Sequence, residues 1–325
     1  MTNGLHAVTV LVPGNLNPHA LKRLEETFSL VRINKPDPAL VTPDMAQSVR
    51  GVAEAAGAGA CFIDALPKLE IVANFGVGYD AVDAGHAGAR GVMVTNTPDV
   101  LTEEVADVAV GLLLSALREF FPAEQWLREG RWEREGPYPL TRGSLRGRKV
   151  GIFGMGRIGM AVAKRLEGFG APIAYHNRRP KPDAPYQYHP TLLSLAGAVD
   201  TLVSVAPATP ETEKAVNAEV LAALGPQGVF VNIGRGNTVD EEALAEALHT
   251  DTILAAGLDV FRDEPRVHPR LLTAPRATLL PHVGSASITT RTAMADLCVD
   301  NLVSWFSEGR ALTPVPETAG VEGRQ

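Results

Sequence analysis

The strongest constraint lies mid-chain, at residues 149–159, Lys-Val-Gly-Ile-Phe-Gly-Met-Gly-Arg-Ile-Gly. Val150, Ile152 and Phe153 read as a short buried strand, and residues 158–168 carry a helical pattern. Between them Gly154, Gly156 and Gly159 form G-x-G-x-x-G. The first glycine allows a tight turn out of the strand. The second lets the backbone approach a pyrophosphate, and the third lets the helix pack close to the sheet. The N–H groups that open the helix then face the phosphates. The pattern alone is weak in a chain with 31 glycines, but a strand before it and a helix after it supply the required context. A glycine turn that holds no phosphate is the alternative.

A chain of 325 residues is too long for one ordinary core, so two domains are expected. With 45% hydrophobic and 21% charged residues it is ordinary globular material. A net charge of -7 argues against a general nucleic-acid binder, which needs a basic footprint. Cys61 and Cys298 form no spaced motif and read as buried free thiols in a reducing compartment. No basic-then-apolar leader is visible, and the longest apolar run, 105–117, is short for a bilayer span. Cytoplasmic location with no membrane partner is the expectation. The eight histidines show no ligand spacing, so no metal is expected.

Strand-like runs alternate with helical ones from the start. Residues 8–12, 28–33, 61–63, 69–75 and 92–95 read as strands; 19–27, a stretch from Pro43 fading into 53–60, and 81–89 read as helices. Thr102 opens a helix to about residue 119, apolar nearly all round, with Glu103 and Glu104 in its first turn. Residues 126–141 read as an excursion from the body, reaching toward a partner subunit. From Lys149 the alternation resumes, with strands near 172–176, 201–205, 229–233, 253–260 and 277–280. A helix over 288–307 is long enough to return to the first domain, and a polar tail follows Thr313. The fold class is α/β, with two doubly wound parallel-sheet domains. A flavodoxin-like substrate domain takes 1–98 plus 286–325, and a Rossmann dinucleotide-binding domain takes 99–285, its cofactor facing an interdomain cleft.

Cofactor choice is made about 20 residues past the glycines, where a carboxylate holds a ribose 2′-hydroxyl or an Arg accommodates a 2′-phosphate. Here the chain reads Asn177-Arg178-Arg179, with no acid, and Arg157 in the glycine turn adds a further cation. A guanidinium fork matches a phosphate, so NADP(H) is preferred, with NAD(H) possible. Solvated surface arginines are the bland alternative. At later strand ends stand Arg235, Glu264 and His282. Reducing a 2-oxo acid needs a cation for the carboxylate and carbonyl, an acid for the developing alkoxide, and a carboxylate that favours the imidazolium. Arg235, His282 and Glu264 supply these in order, with Gly234 and Gly236 leaving Arg235 exposed. Singly, His282 reads as a strand-end histidine and Glu264-Pro265 as a turn. The Gly76-Val77-Gly78 loop has backbone N–H groups suited to a substrate carboxylate.

Together these stretches resemble the D-isomer-specific 2-hydroxyacid dehydrogenases. The motifs are Asn74-Phe75-Gly76-Val77-Gly78-Tyr79-Asp80, Gly154-Met155-Gly156-Arg157-Ile158-Gly159, Asn232-Ile233-Gly234-Arg235-Gly236, Gly257-Leu258-Asp259-Val260-Phe261 with Glu264-Pro265, and Pro281-His282-Val283-Gly284-Ser285. The 177–179 ending and the 76–80 loop resemble the glyoxylate/hydroxypyruvate and hydroxyphenylpyruvate reductase branch. The resemblance implies Arg235 as substrate anchor, His282 as acid/base with Glu264 as partner, and Val77, Gly78 and Ser285 as further substrate contacts. It implies cofactor contacts from Thr102, the glycine-turn residues 154–159, Asn177, Arg178, Arg179, Ala206, Pro207, Thr212, Ile233, Gly234, Arg235, Asp259 at the nicotinamide carboxamide, His282 and Gly284. It also implies a homodimer built around the long helix. The implied activity is NADPH-dependent reduction of glyoxylate or hydroxypyruvate to D-2-hydroxy acids, with phenylpyruvate-type acids as runner-up. One departure is the short, small-residue region 54–60, where a pocket-shaping loop is expected. A dinucleotide-sensing, corepressor-like binding protein is the alternative of a different class. The lack of long disordered flanks and of a basic surface signal counts against it.

Overall fold

The structure is a computed structural model and describes residues 4–323. Among these, residues up to Leu101 together with those from Ser287 onward form one compact unit, and Thr102–Ala286 forms a second.

In the first unit the chain runs β1 (Thr9–Pro13), α1 (Pro18–Thr27), β2 (Ser29–Ile33), α2 (Pro43–Ser48), β3 (Val49–Glu54), α3 (Ala60–Asp64), β4 (Ile71–Asn74), α4 (Ala84–Ala89) and β5 (Met93–Thr95). Its strands are all parallel, in the order β2-β1-β3-β4-β5. Local chemistry starts the helices. Asn17 accepts from the N–H groups of His19 and Ala20 ahead of Pro18, and Thr42 accepts from Met45 N ahead of Pro43. Both faces of the sheet are covered, so its central strands are largely apolar. Val10, Val12, Ile71 and Ala73 pack to one side, and Leu11, Val52 and Val72 to the other, against Phe62, Ile63 and Leu66.

Three expectations fail here. The helix from Pro43 stops at Ser48, and residues 49–54 form β3. Its small residues suit a central strand under a helix, since a Cβ on Gly51 would lie 3.1 Å from Leu302. Residues 61–63 are helical, not a strand, and Cys61 is exposed, whereas Cys298 is buried. The tail after Thr313 is structured. Val315 and Thr318 are buried, and the Thr318 hydroxyl meets both the N–H and the carbonyl of Val94.

The second unit runs α5 (Thr102–Arg118), α6 (Phe120–Arg128), α7 (Arg131–Glu135), β6 (Val150–Phe153), α8 (Arg157–Glu167), β7 (Ile173–His176), β8 (Gln187–Tyr188), α9 (Leu192–Ala196), β9 (Thr201–Ser204), α10 (Ala218–Leu224), β10 (Val229–Asn232), α11 (Glu241–His249), β11 (Ala255–Leu258), α12 (Pro269–Leu272) and β12 (Ala277–Leu279). The parallel order is β12-β11-β10-β9-β6-β7-β8, with the reversal between β6 and β9. The proline-rich loop after β7 contains a short edge strand, β8, which sequence reading missed. The last helix, α13 (Ile288–Glu308), packs on α1 and β4 of the first unit.

Helix α5 buries Val105, Ala109, Leu112, Leu113 and Leu117 against α8 and the strands β10 and β11. Each of the valine and leucine side chains contributes about 1.5–3 kcal/mol relative to exposure. The fit depends on Gly257, where a Cβ would lie 2.7 Å from Leu112 Cγ. Gly257→Ala is expected to cost about 1–3 kcal/mol through overpacking, seen as a lower thermal midpoint. An unchanged midpoint would show that α5 does not clamp on β11.

Candidate active site

The glycine turn sits at the topological reversal of the second sheet. Gly154 has φ +103°, and a Cβ there would lie 2.8 Å from Ala206 N on the neighbouring strand end. Only glycine satisfies both the backbone angle and this approach. A Cβ on Gly159 would run into the Gly154 carbonyl, so the helix closes on the turn. Gly156 is different, since a Cβ there would meet nothing within 4 Å. It caps α8 without any side-chain cap bond, leaving the first-turn N–H groups available to a ligand. Met155 is buried, Ile158 half-buried and Arg157 exposed.

Asn177 follows β7, and its Oδ1 accepts from Met155 N at 2.6 Å, tying the segment after β7 to the glycine turn. Arg178 and Arg179 follow, both exposed and in no ion pair among the described residues. Tyr188 O–H donates to the Asn177 carbonyl at 3.3 Å, and its ring stacks on His176. Glu211 was not foreseen. Its carboxyl is held below the ordinary value by its own backbone N–H and by Thr209, with the Arg178 charge adding to this. Thr212 donates to the Pro207 carbonyl at 2.7 Å, bracing the loop that follows buried Ala206. Thr102 is the first residue of α5, inside the helix and not ahead of it.

The charged candidates gather at the ends of adjacent strands. Arg235 follows β10, Asp259 and Glu264 follow β11, and His282 follows β12. Arg235 is half-buried, not exposed as its flanking glycines imply. Those glycines serve backbone packing. A Cβ on Gly234 would lie 2.6 Å from Ala206 O, and one on Gly236 would collide with the Phe261–Arg262 peptide. The Arg235 carbonyl accepts from Asn232 Nδ2 at 2.9 Å and from the Thr238 hydroxyl at 2.8 Å, which fixes the loop. Ile233 is buried and would be 3.3 Å from a Cβ on Gly284.

His282 Nδ1 lies 2.7 Å from Glu264 Oε2, while Glu264 Oε1 accepts from Phe261 N at 2.9 Å. His282 has φ +53°, a left-handed backbone that strains a residue with a side chain and needs its surroundings to hold it. Asp259 does so. It is 1% exposed, and its two oxygens accept from Val283 N and Gly284 N, each at 2.8 Å. Its carbonyl accepts from His282 N at 2.9 Å. Burial raises the Asp259 carboxyl, opposed by these two N–H groups and by the His282 charge. Ser285 is half-buried just beyond. Glu241, in the first turn of α11, accepts from Arg262 N at 2.8 Å and steadies the same turn. An acid just after the Asp240 cap was the only available signal for it.

In the first unit, Asn74 Nδ2 donates to the carbonyls of Gly76 and Gly78 at 3.0 Å, and Asn96 Nδ2 to that of Val77 at 2.8 Å. The turn's carbonyls are thus occupied. The N–H groups of Val77 and Gly78 donate to nothing in the protein among the described residues. Also among the described residues, no three His, Cys, Asp or Glu side chains are placed to hold a metal, and no helix is long and apolar enough to cross a membrane.

A doubly wound sheet with an open glycine turn at its reversal and a carboxylate–histidine pair beside an arginine defines a nicotinamide-dependent dehydrogenase. Residues 110–284 match the family model of the D-isomer specific 2-hydroxyacid dehydrogenase, NAD binding domain, and the chain belongs to this family. It is 44% identical over 314 residues to glyoxylate/hydroxypyruvate reductase A of Arabidopsis thaliana, covering 96% of this chain and 100% of that one. It is 46% identical over 314 residues to hydroxyphenylpyruvate reductase of Plectranthus scutellarioides, with the same coverage of 96% and 100%. A solved structure is similar at TM-score 0.95 and 59% identity, covering 98% of this chain and 99% of the other. It is an NADPH-dependent glyoxylate/hydroxypyruvate reductase from Sinorhizobium meliloti in complex with NADP and malonate.

The residues present fit a dinucleotide: open space at Gly156, uncapped helix N–H groups and exposed arginines past β7. NADP(H) is the preferred cofactor, with NAD(H) possible. Arg178→Asp with Arg179→Ala is expected to raise KM for NADPH at least about tenfold, the loss of one charge-assisted bond or more, and to shift preference toward NADH. Unchanged NADPH affinity in the double variant would refute the assignment.

Proposed function

We propose that this chain reduces small 2-oxo acids, glyoxylate and hydroxypyruvate, to D-2-hydroxy acids with NADPH. The observation that carries the reading is the 2.7 Å Glu264–His282 pair, which joins the segments after β11 and β12, with β11 next to β10, the strand that leads into Arg235. Bound NADPH supplies the hydride. Arg235 pairs with the substrate carboxylate and polarises the 2-oxo group, in the role a guanidinium fork fills best. His282 gives its Nε2 proton to the oxygen that becomes the hydroxyl, while Glu264 holds Nδ1 and fixes the ring. The free N–H groups of Val77 and Gly78 bind the carboxylate, and Ser285 adds a contact. Ile233, Gly234, Asp259 and Gly284 shape the nicotinamide side, with Asp259 acting chiefly through the loop it organises.

The homodimer belongs to the same reading. The segment around α6 and α7 exposes Phe120, Phe121 and Leu127, with Trp132 at 61% and Leu140 at 98% exposure. An apolar group of this kind on one arm marks a protein contact, and a second copy fits it. The long helix α5, by contrast, spends most of its apolar surface within its own unit.

His282→Ala is expected to lower kcat for glyoxylate by about 10²–10⁴, the usual worth of a positioned acid. KM for NADPH should stay within a few-fold of wild type. The check is NADPH oxidation with glyoxylate, hydroxypyruvate and 4-hydroxyphenylpyruvate. A wild type no faster than the variant on all three would refute the reading. Preference for the aromatic acid would move the substrate class.

A further inference from the structure

Glu54 is a fully buried acid that the hydride chemistry leaves unused. It ends β3 at the reversal of the β2-β1-β3-β4-β5 sheet, the place where open α/β sheets take ligands. Across the reversal stands Gly14, just past β1, where a Cβ would lie 3.7 Å from the Ala56 Cβ. Glu54 Oε2 accepts from Gly57 N, whereas Oε1 is buried with no partner. Gly57 has φ +98°, and a Cβ there would lie 2.7 Å from Ala81, so the turn is pinned on its other side as well.

On the β4 side, Glu54 pairs in register with Asn74, the residue that holds the Gly76 and Gly78 carbonyls. The Glu54 carbonyl also accepts from Phe75 N at 2.7 Å. The Glu54 side chain therefore holds the 55–58 turn, while its main chain pairs beside the strand that leads into the 76–78 turn. Among the described residues Glu54 is in no ion pair. Strands β1 and β4 carry no titratable side chain. On α13, Cys298 is the coupled group, its thiol pushed up to about 12 by burial and then by the Glu54 charge. Arg291 lies over the Phe75 ring, and Asp296 and Asp300 pair with Arg23. Burial pushes Glu54 up to about 7, with the Gly57 and Ala56 N–H groups pulling the other way.

We propose that Glu54 is a positioning residue for the 55–58 turn, which lies beside the strand leading to the 76–78 substrate turn, and that its ionised form sets a negative charge against the anionic substrate and weakens its binding; this rests on the 2-oxo acid reading above. An acid in a short turn of small residues then selects small substrates and loosens its hold on them as pH rises.

The test is the glyoxylate KM of the full chain at saturating NADPH, from about pH 6 to about pH 8.5, for wild type and Glu54→Gln. Wild-type KM is expected to rise about fivefold more than the variant's, the scale of a screened charge repulsion at close range. The pH profile of kcat and KM for NADPH should match in both. Parallel KM curves would overturn the proposal. No turnover of any 2-oxo acid by wild type would instead bring down the functional reading on which it rests.

Thermal unfolding gives a readout independent of turnover. A carboxyl raised from 4.5 to about 7 stabilises the fold below about 4.5, and that contribution is lost as pH rises through about 7. The wild-type midpoint should therefore fall a few degrees more than that of Glu54→Gln across the same range. Equal slopes would overturn the ionisation. Glu54→Leu, with no polar atom to bury, is the second charge-free variant and should show the same flattened KM profile. A wild-type-like rise in KM in Glu54→Leu would also overturn the proposal.

Discussion

The catalytic end of the second unit depends on one buried carboxylate. Asp259 is removed from water, which costs several kcal/mol unless hydrogen bonds compensate. The compensation comes from Val283 N and Gly284 N, one on each oxygen. Because these N–H groups lie just past His282, satisfying Asp259 also holds His282 in its left-handed backbone. The imidazole is thereby presented to Glu264 at 2.7 Å. The Glu264 turn is itself clamped by Phe261 N and by Glu241 through Arg262 N, and its peptide lies against Gly236, next to Arg235. The three groups proposed to handle the substrate are set by backbone contacts between neighbouring strand ends, which is a stiffer arrangement than side chains alone provide.

The two sheets place chemistry at the same kind of position. Each is parallel, and each reverses strand order once, between β1 and β3 in the first and between β6 and β9 in the second. At the second reversal the side chains are absent: Gly154 and Ala206 pack backbone to backbone, and Gly156 faces open space. At the first reversal an ionisable acid is buried instead, Glu54 at the end of β3, with Gly14 lying against Ala56 across the reversal. A dinucleotide needs backbone donors and room. A small anion is discriminated by charge and by the shape of short turns.

Much of this was legible in the chain. Strand–turn–helix around 150–167 was readable because β6 is short, wholly apolar and bounded by glycines with distinct steric duties. Arg178 and Arg179 were readable as candidates because the segment that meets the ribose lies at a fixed distance past the glycine turn in this fold. Other features were not. β3 was read as the end of a helix because Gly51, Val52 and Ala53 carry little periodicity; their pairing with β1 and β4 makes the strand. Residues 61–63 look β-like locally, but they cover the sheet face as a helix, with Phe62 and Ile63 buried. β8 has two residues and exists only through pairing with β7. Glu241 and Glu211 act on groups 21 and 33 positions away, Arg262 and Arg178, and no local pattern reports this.

By itself the sequence determined the alternation of strands and helices, the glycine turn, the arginines that follow β7, and the residue types proposed as the acid, its partner and the anchor. These are local choices, written in spacing and in the steric limits of glycine. Only the tertiary structure decided that Arg235 is half-buried, that His282 has a left-handed backbone and that Glu54 lies buried with one oxygen unpaired. Those properties arise from contacts between segments distant in the chain, where burial and hydrogen-bond satisfaction, not propensity, set the outcome.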